Sequence, residues 1–211
     1  MKTKTKALAL ALCAVLLVVS TVFVTMAYLT SKTDVVTNTF TVGKVTITLD
    51  EARVDAYGNP VNKDGNRVYL EDAPRQTANV YKLIPGHEYT KDPTIHVAND
   101  SENCWLFVTV KNGLLNAEDA SGNTIAKQMA ARGWEKVTGA TVDGTDVYAY
   151  ATKQAAGANV VVFDTFKIAG TTDVSKYEKA EIVVTAYAIQ ADGFDTPAAA
   201  WTVAGAEAKA N

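Results

Sequence analysis

The sequence holds two histidines, and these are the first residues to consider for metal chemistry. His87 is followed by Glu88, as at the start of the zinc-protease pattern His-Glu-x-x-His, but Lys91 occupies the position of the second histidine. Zinc binding of that kind needs two histidines one helical turn apart, so that both imidazoles reach one ion. Because Lys91 replaces that ligand and His96 stands in strand-like sequence, we predict no metal site and no zinc-peptidase centre.

A loop rich in Asn, Asp and Gly repeats part of the ligand spacing of an EF-hand calcium loop. The matching residues are Asn62, Asp64, Gly65 and Glu71. The first ligand position would then fall on Pro60, which has no side-chain oxygen, and no helical pattern flanks the loop. We therefore expect a turn with Asp64-Gly65 as its tight dipeptide, and no bound cation.

Other groups that could act on a substrate are sparse. The acidic pairs Asp50-Glu51 and Glu71-Asp72 occur in polar sequence, where we expect solvated turns. The chain has neither a Gly-x-Ser-x-Gly motif nor a glycine-rich phosphate loop. Cys104 belongs to an apolar run, which indicates a buried and unreactive thiol. These observations predict a protein that is not an enzyme and that binds no cofactor.

The peptide bond between Ala27 and Tyr28 is where we predict covalent processing of this chain. Three lysines among the first six residues precede an apolar segment, and residues 7–31 contain no charged side chain. The small side chains of Thr25 and Ala27 suit the −3 and −1 pockets of a signal peptidase. Residues 1–27 are therefore predicted to be a signal peptide that is removed on export.

A retained N-terminal anchor is the alternative to cleavage. Residues 7–27 are long enough for it, because about 20 apolar residues span a bilayer. Ser20 and Thr21 dilute the second half of the segment, which favours the signal peptide. Lipidation at Cys13 is not expected, because Leu12 stands where a lipoprotein signal needs a small residue.

Composition indicates one exported domain after the signal. Residues 28–211 are sufficient for a single core. The full chain has 20 basic and 23 acidic residues, and three of the lysines leave with the signal. An acidic chain of this kind does not favour nucleic acid as a partner. Contact with the membrane is expected only through the signal segment before cleavage, and the mature protein is expected to be secreted or to stay at the cell surface.

The hydrophobic pattern predicts an all-β domain. Val45, Ile47 and Leu49 alternate with threonines, as in a half-buried strand. Further strands are predicted at 79–83, 94–98, 104–111, 147–151, 160–166 and 180–190. One helix is predicted at 124–131, with Asn123 as its N-cap and Gly133 beyond its end. We therefore expect a jelly-roll-like antiparallel β-sandwich with one short helical insertion, preceded by the N-terminal signal helix.

These patterns divide the chain into four parts. They are the signal peptide at 1–27, an N-terminal segment at 28–43, the β-sandwich at 44–203 and a flexible tail at 204–211. The tail has no periodic core residues, which predicts fraying. Trp105 and Trp134 are predicted to be core residues rather than platforms for a ligand.

Three stretches together resemble a known family. They are residues 25–30 with 38–47, which place a short Ala-aromatic junction before Asn-x-Phe-x-x-Gly-x-Val-x-Ile, residues 83–86 with 90–92, and residues 181–191. This pattern is similar to the TasA/camelysin group of Gram-positive proteins, whose signal is cut by the SipW peptidase. The resemblance implies a jelly-roll domain and a fibre of a biofilm matrix, with a SipW-type peptidase and further copies of the chain as partners. Two alternatives stay open, a monomeric surface adhesin and a camelysin-like surface metallopeptidase.

The segment freed by cleavage is predicted to supply a strand to a neighbouring subunit. Residues 33–42 have strand composition, with Val36, Phe40 and Val42 on one face. A sandwich with an open position between its strands can bind such a segment through main-chain hydrogen bonds and side-chain pockets. The same residues could instead form the first strand of their own domain, and the sequence leaves both possibilities open.

Overall fold

The computed structural model describes residues 44–208, and all of them belong to one unit that extends from Val42 to Asn211. Two four-stranded antiparallel sheets and one two-stranded sheet form this unit. The strands are β1 (Ile47–Ala52), β2 (Arg75–Gln76), β3 (Glu88–Thr90), β4 (Thr94–Val97), β5 (Cys104–Asn112), β6 (Trp134–Val142), β7 (Thr145–Tyr150), β8 (Asn159–Val161), β9 (Thr165–Lys167) and β10 (Ile182–Gln190). The helices are α1 (Ile125–Ala131) and α2 (Pro197–Ala208), with 3₁₀ turns at Leu70–Asp72 and Val174–Tyr177.

The order of strands is β2-β1-β4-β8 in the first sheet and β10-β5-β7-β6 in the second, while β3 pairs with β9. A core of buried side chains from both sheets lies between them, with Ile95 and Val97 of β4 packing among Leu106 and Val108 of β5. An antiparallel β-sandwich with a helical insertion is therefore confirmed. The predicted signal helix lies outside the described residues.

Strand β5 is apolar on both of its faces, and the fold explains why. Leu106 and Val108 point into the core between the sheets, whereas Trp105 and Phe107 belong to a second cluster on the other side of the same sheet. Helix α2 covers that second cluster with Ala200 and Trp201. A strand that is buried on both faces reads as a continuous apolar run rather than as an alternating one.

Helix α1 is confirmed, with a different N-cap from the predicted Asn123. The cap is Thr124, whose side-chain oxygen accepts a hydrogen bond from the Lys127 backbone N–H at 3.3 Å. Thr124 has an extended backbone, as a capping residue requires. Gly133 follows the helix at a φ of +88°, which is the left-handed conformation that ends many helices.

Helix α2 corrects the prediction of a single helix and of a frayed tail from residue 204. It extends from Pro197 to Ala208, so part of that tail is helical. Ala204 packs against the cluster that contains Trp105 and Phe107, and Gly205 is buried against the Trp201 ring. The alanine-rich sequence favours a helix, and the contacts with the sheet hold it in place.

Three strand predictions also require correction. Residues 79–83 form no strand, because Asn79 uses its side chain to satisfy backbone groups of residues 52 and 54. Residues 160–166 divide into β8 and β9, which belong to different sheets. Strand β6 was not predicted, although Trp134 at its start was expected in the core. Within the described part of the chain, no helix is long and apolar enough to cross a membrane.

Candidate functional site

A deep groove lies where the first sheet approaches the second sheet, between β1 and β10. Its volume is about 1110 Å³. Leu49, Asp50 and Glu51 of β1 line one side, and residues 182–184 of β10 line the other. The irregular segment 77–83 and the segment 174–181 around the second 3₁₀ turn complete its walls. The groove therefore runs along two strands and is large enough for several side chains.

Both strands that border the groove have an edge without a strand partner among the described residues. Strand β10 is at the end of its sheet and pairs only with β5 there. Strand β1 pairs with β4 over residues 47–50, whereas β2 on its other side reaches only Glu51 and Ala52. Such edges present main-chain N–H and C=O groups that an added strand can satisfy.

The exposed rim of the groove carries apolar side chains among charged ones such as Glu178 and Lys179. Val80 is 84% exposed and Val183 is 43% exposed, and both line the groove. Leu83, Leu114 and Phe166 line it at greater depth. Exposed aliphatic side chains at the mouth of a groove with apolar side chains beneath them favour contact with another apolar segment.

A polar wall closes one end of the groove at Glu51, Asn79 and Lys91. Lys91 Nζ donates to Glu51 Oε2 at 2.5 Å, and Asn79 Nδ2 donates to Glu51 Oε1 at 2.9 Å. The Glu51 side chain is 5% exposed and the Lys91 side chain is 11% exposed. The carboxylate is thus held between an ammonium and a carboxamide with little access to water.

Asn79 makes hydrogen bonds through both the oxygen and the nitrogen of its carboxamide. Its Oδ1 accepts from the Val54 backbone N–H at 2.9 Å and from Gln76 Nε2. Its Nδ2 also donates to the Ala52 carbonyl at 2.9 Å. These bonds fix the irregular segment to β1 in place of a strand ladder.

A second charged cluster lies next to this wall, around Arg75. Its guanidinium donates to Asp92 Oδ2 at 2.5 Å and to Asp50 Oδ1 at 2.7 Å. His96 Nε2 lies 2.9 Å from Asp50 Oδ1. Partial burial acts to raise the pKa of Asp50, but the hydrogen bonds from His96 and Arg75 outweigh it, so this pKa lies below its ordinary value.

Tyr81 joins the polar wall to the aromatic core. Its hydroxyl donates to the Thr90 carbonyl at 3.0 Å, and its ring packs edge-on against Tyr89 and Phe166. Burial, with smaller contributions from the negative charges of Glu51 and Asp92, raises the pKa of Tyr81. The phenol is therefore neutral and acts as a hydrogen-bond donor.

The predicted processing and donor residues lie outside the described part of the chain. These are Ala27, Tyr28, Val36, Phe40 and Val42.

Other predicted features are described. Trp105 and Trp134 are buried, as predicted, and so is Cys104, whose pKa burial raises to about 11. In residues 44–208, no group of three metal-binding side chains is close enough to hold an ion.

The acidic pair Asp50-Glu51 was predicted to lie on a solvated turn, and this was wrong. Both residues belong to β1, and Glu51 is buried. The alternating pattern of β1 already indicated that Glu51 is buried, because Ile47, Leu49 and Glu51 share the face that packs inward. No local sequence pattern identified Asn79 and Lys91 as site residues, because contacts between distant parts of the chain bring them to Glu51.

Comparison with known proteins adds no assignment: this chain matches no protein-family model, no curated protein and no solved structure. The geometry of the groove therefore has to support any functional proposal by itself, together with the sequence patterns described above. What the groove can do chemically is accept an extended apolar segment along open strand edges and hold polar groups at its closed end.

Proposed function

We propose that this chain is an exported surface or matrix protein of the TasA/camelysin type, which assembles into fibres by donating a strand from one subunit to the next. A SipW-type signal peptidase would release the N-terminal segment by cutting between Ala27 and Tyr28. The observation that carries the proposal is the groove of about 1110 Å³ between the open edges of β1 and β10.

The position of the groove in the chain supports this proposal. The described residues begin at Lys44, three positions before β1, and β1 itself lines the groove. The segment 28–43 therefore precedes, in the chain, a strand that borders the groove. A segment tethered there can fill the groove of its own subunit, or it can extend into the groove of a neighbour.

The sequence of the segment suits the lining of the groove. Val36, Phe40 and Val42 share one face of an extended strand, and threonines dominate the other face. The groove offers Leu83, Leu114 and other apolar side chains to such a face. Main-chain hydrogen bonds along the edge would provide affinity, while the apolar side chains would fix the register.

Donation to a neighbour gives a filament for a geometric reason. The donor segment and the acceptor groove are different surfaces, so the contact is head-to-tail. A head-to-tail contact that does not close into a ring repeats without limit. The signal segment would prevent this before cleavage, because it keeps the donor residues attached to the membrane.

Deleting residues 28–38 tests the proposal. The described core starts at Lys44, so we expect a folded monomer that forms no fibres by electron microscopy. A synthetic peptide of residues 33–42 should bind this variant. The variant should also shorten fibres of the intact protein, because it can accept a strand but cannot donate one.

Point variants provide a matched control for the deletion. Phe40→Asp places a charge on the face predicted to enter the groove and should abolish assembly. Thr39→Asp places the same charge on the opposite face and should leave assembly intact. Fibres formed by the deletion variant, or equal assembly of the two point variants, would contradict strand donation.

A further inference from the structure

Three side chains at the closed end of the groove form a reactive set that the assembly proposal does not use. Lys91, Glu51 and Asn79 come from three separate segments of the chain. The two oxygens of Glu51 accept from the two nitrogens, with 2.5 Å to Lys91 Nζ and 2.9 Å to Asn79 Nδ2. An amine and a carboxamide are thereby held one hydrogen bond from the same carboxylate, which is the arrangement that proton transfer between them requires.

The carboxamide of Asn79 is also held as an electrophile. Its oxygen accepts hydrogen bonds from two donors, the Val54 backbone N–H at 2.9 Å and Gln76 Nε2. Two donors aimed at one carbonyl oxygen polarise the carbonyl and stabilise the negative charge that develops when a nucleophile adds to its carbon. Val54 and Gln76 thus take the positions of an oxyanion hole.

The carboxylate at the centre of the set has little contact with water. Glu51 is 4% exposed, and Tyr81 lines the groove beside it. The Lys91 side chain, which pairs with this carboxylate, is 11% exposed, so both partners have little contact with water.

We propose that Lys91 and Asn79 become joined by an intramolecular isopeptide bond between Nζ and Cγ, with Glu51 as the catalytic residue. Glu51 accepts a proton from the Lys91 ammonium, and the neutral Nζ attacks Cγ of Asn79. The carbonyl electron pair moves to Oδ1, where the two donors stabilise it.

Collapse of this intermediate breaks the bond between Cγ and Nδ2. Glu51 delivers its proton to Nδ2, which leaves as ammonia. The ammonia takes one of the two protons still on Nζ and departs as ammonium, and the other proton stays on the new amide nitrogen. One ammonium and one carboxamide are thus converted to one secondary amide and one ammonium ion. No oxidation, reduction or further reactant is involved, and Glu51 ends as the carboxylate with which it began.

The bond would covalently attach a part of the fold that has little regular structure. Residues 77–87 form no strand or helix, and their attachment to β1 depends on the hydrogen bonds of Asn79. The isopeptide bond connects this segment to Lys91, which is one residue after β3 and three residues before β4 begins. It forms within one chain and is independent of fibre assembly, so a monomer should contain it as well.

Intact mass spectrometry of the purified secreted protein tests this proposal. We expect a mass lower than that of its sequence by one ammonia, about 17 Da. Digestion after glutamate gives fragments 72–88 and 89–102, and we expect these to remain linked through Asn79 and Lys91. This cleavage leaves no glutamine at a new N-terminus, where cyclisation would also release ammonia.

Variants of the three residues locate the reaction. Asn79→Ala and Lys91→Arg remove the electrophile and the nucleophile, and Glu51→Gln removes only the proton carrier. Each should show its full sequence mass. Lys167→Arg is the matched control, because Lys167 also pairs with a carboxylate, Asp119 at 3.1 Å, on the more exposed surface, and this variant should retain the loss.

The mass of the wild-type protein decides the outcome even where a variant fails to fold. A wild-type protein at its full sequence mass would overturn the proposal. A loss of ammonia that persists in folded Asn79→Ala, or linked fragments that do not contain Lys91, would also overturn it. Failure of fibre assembly alone would have no bearing on it.

Discussion

The pKa of Asp50, on the outer face of β1, is determined by its neighbours. Its carboxylate accepts from Arg75 and from His96, and Arg75 in turn bonds to Asp92. The hydrogen bonds hold the pKa of Asp50 below its ordinary value despite the opposing effect of burial. A carboxylate with a lowered pKa stabilises the fold above the pKa of the unfolded chain, and that stability is lost as the pH falls through the folded-state pKa.

The first prediction follows from this linkage. Asp50→Asn should lower the free energy of unfolding by about 1–2 kcal/mol at pH 7, because two charge-assisted hydrogen bonds lose their anion. The difference from wild type should shrink as the pH falls below about 3.9, the ordinary pKa of aspartate. Denaturant unfolding at several pH values measures both effects.

Asp100→Asn serves as the control for this measurement. Asp100 lies 3.6 Å from Lys44 in an exposed ion pair, so its loss should change stability little at any pH. A difference between wild type and Asp50→Asn that stays constant from pH 7 to pH 3 would show that the charge of Asp50 is unimportant.

At the scale of elements, helix α2 packs on the second sheet with one close contact between its own residues. Gly205 is buried, and a Cβ at this position would lie 2.9 Å from Cδ2 of Trp201. The Trp201 ring packs against Phe107 at 4.8 Å and against Tyr187 at 5.6 Å between ring centroids. The ring therefore has little freedom to move away.

The second prediction concerns Gly205→Ala. In an exposed helix this change would stabilise by about 1 kcal/mol. Here the added methyl group forces the Trp201 ring to shift, and we expect a loss of about 1–3 kcal/mol. Val203→Ala on the exposed face of the same helix is the control and should be neutral within a few tenths of a kcal/mol. Thermal unfolding distinguishes them, and a stabilised Gly205→Ala would contradict the packing described.

How far the sequence predicts these elements depends on whether their signals are local. The alternation in β1, the apolar run of β5 and the capped pattern of α1 are local, and each was predicted. The hairpin between β6 and β7 also had a local signal in Asp143-Gly144, whose φ values of 49° and 76° are typical of a tight hairpin turn. That dipeptide could have identified β6.

The candidate site was less predictable because its contacts are not local. Glu51 bonds to Lys91, which is forty residues away in the chain, and to Asn79, which is twenty-eight away. No periodicity within a short window reports such pairings. Helix α2 was missed for a related reason, since its stability depends on the apolar face of a sheet formed by distant strands.

For the whole molecule, the third prediction is cleavage of the signal between Ala27 and Tyr28. N-terminal sequencing of the secreted protein should begin at Tyr28, because small residues at Thr25 and Ala27 follow the apolar core. Ala27→Tyr should block processing by filling the small pocket of the peptidase, whereas Ser31→Tyr should not. Full-length protein retained in the membrane fraction of wild-type cells would favour the uncleaved anchor.

The pairing of β5 with β10 has a consequence for the timing of folding. Trp105 lies opposite Ile189 in this ladder, so a strand from the middle of the chain pairs with one near its end. Pairings between distant strands form slowly, because closing the intervening loop costs entropy before any contact is gained. The second sheet cannot be completed until β10 is available to pair with β5. The half of the sandwich that is built on β5 therefore acquires its rigid form late in folding.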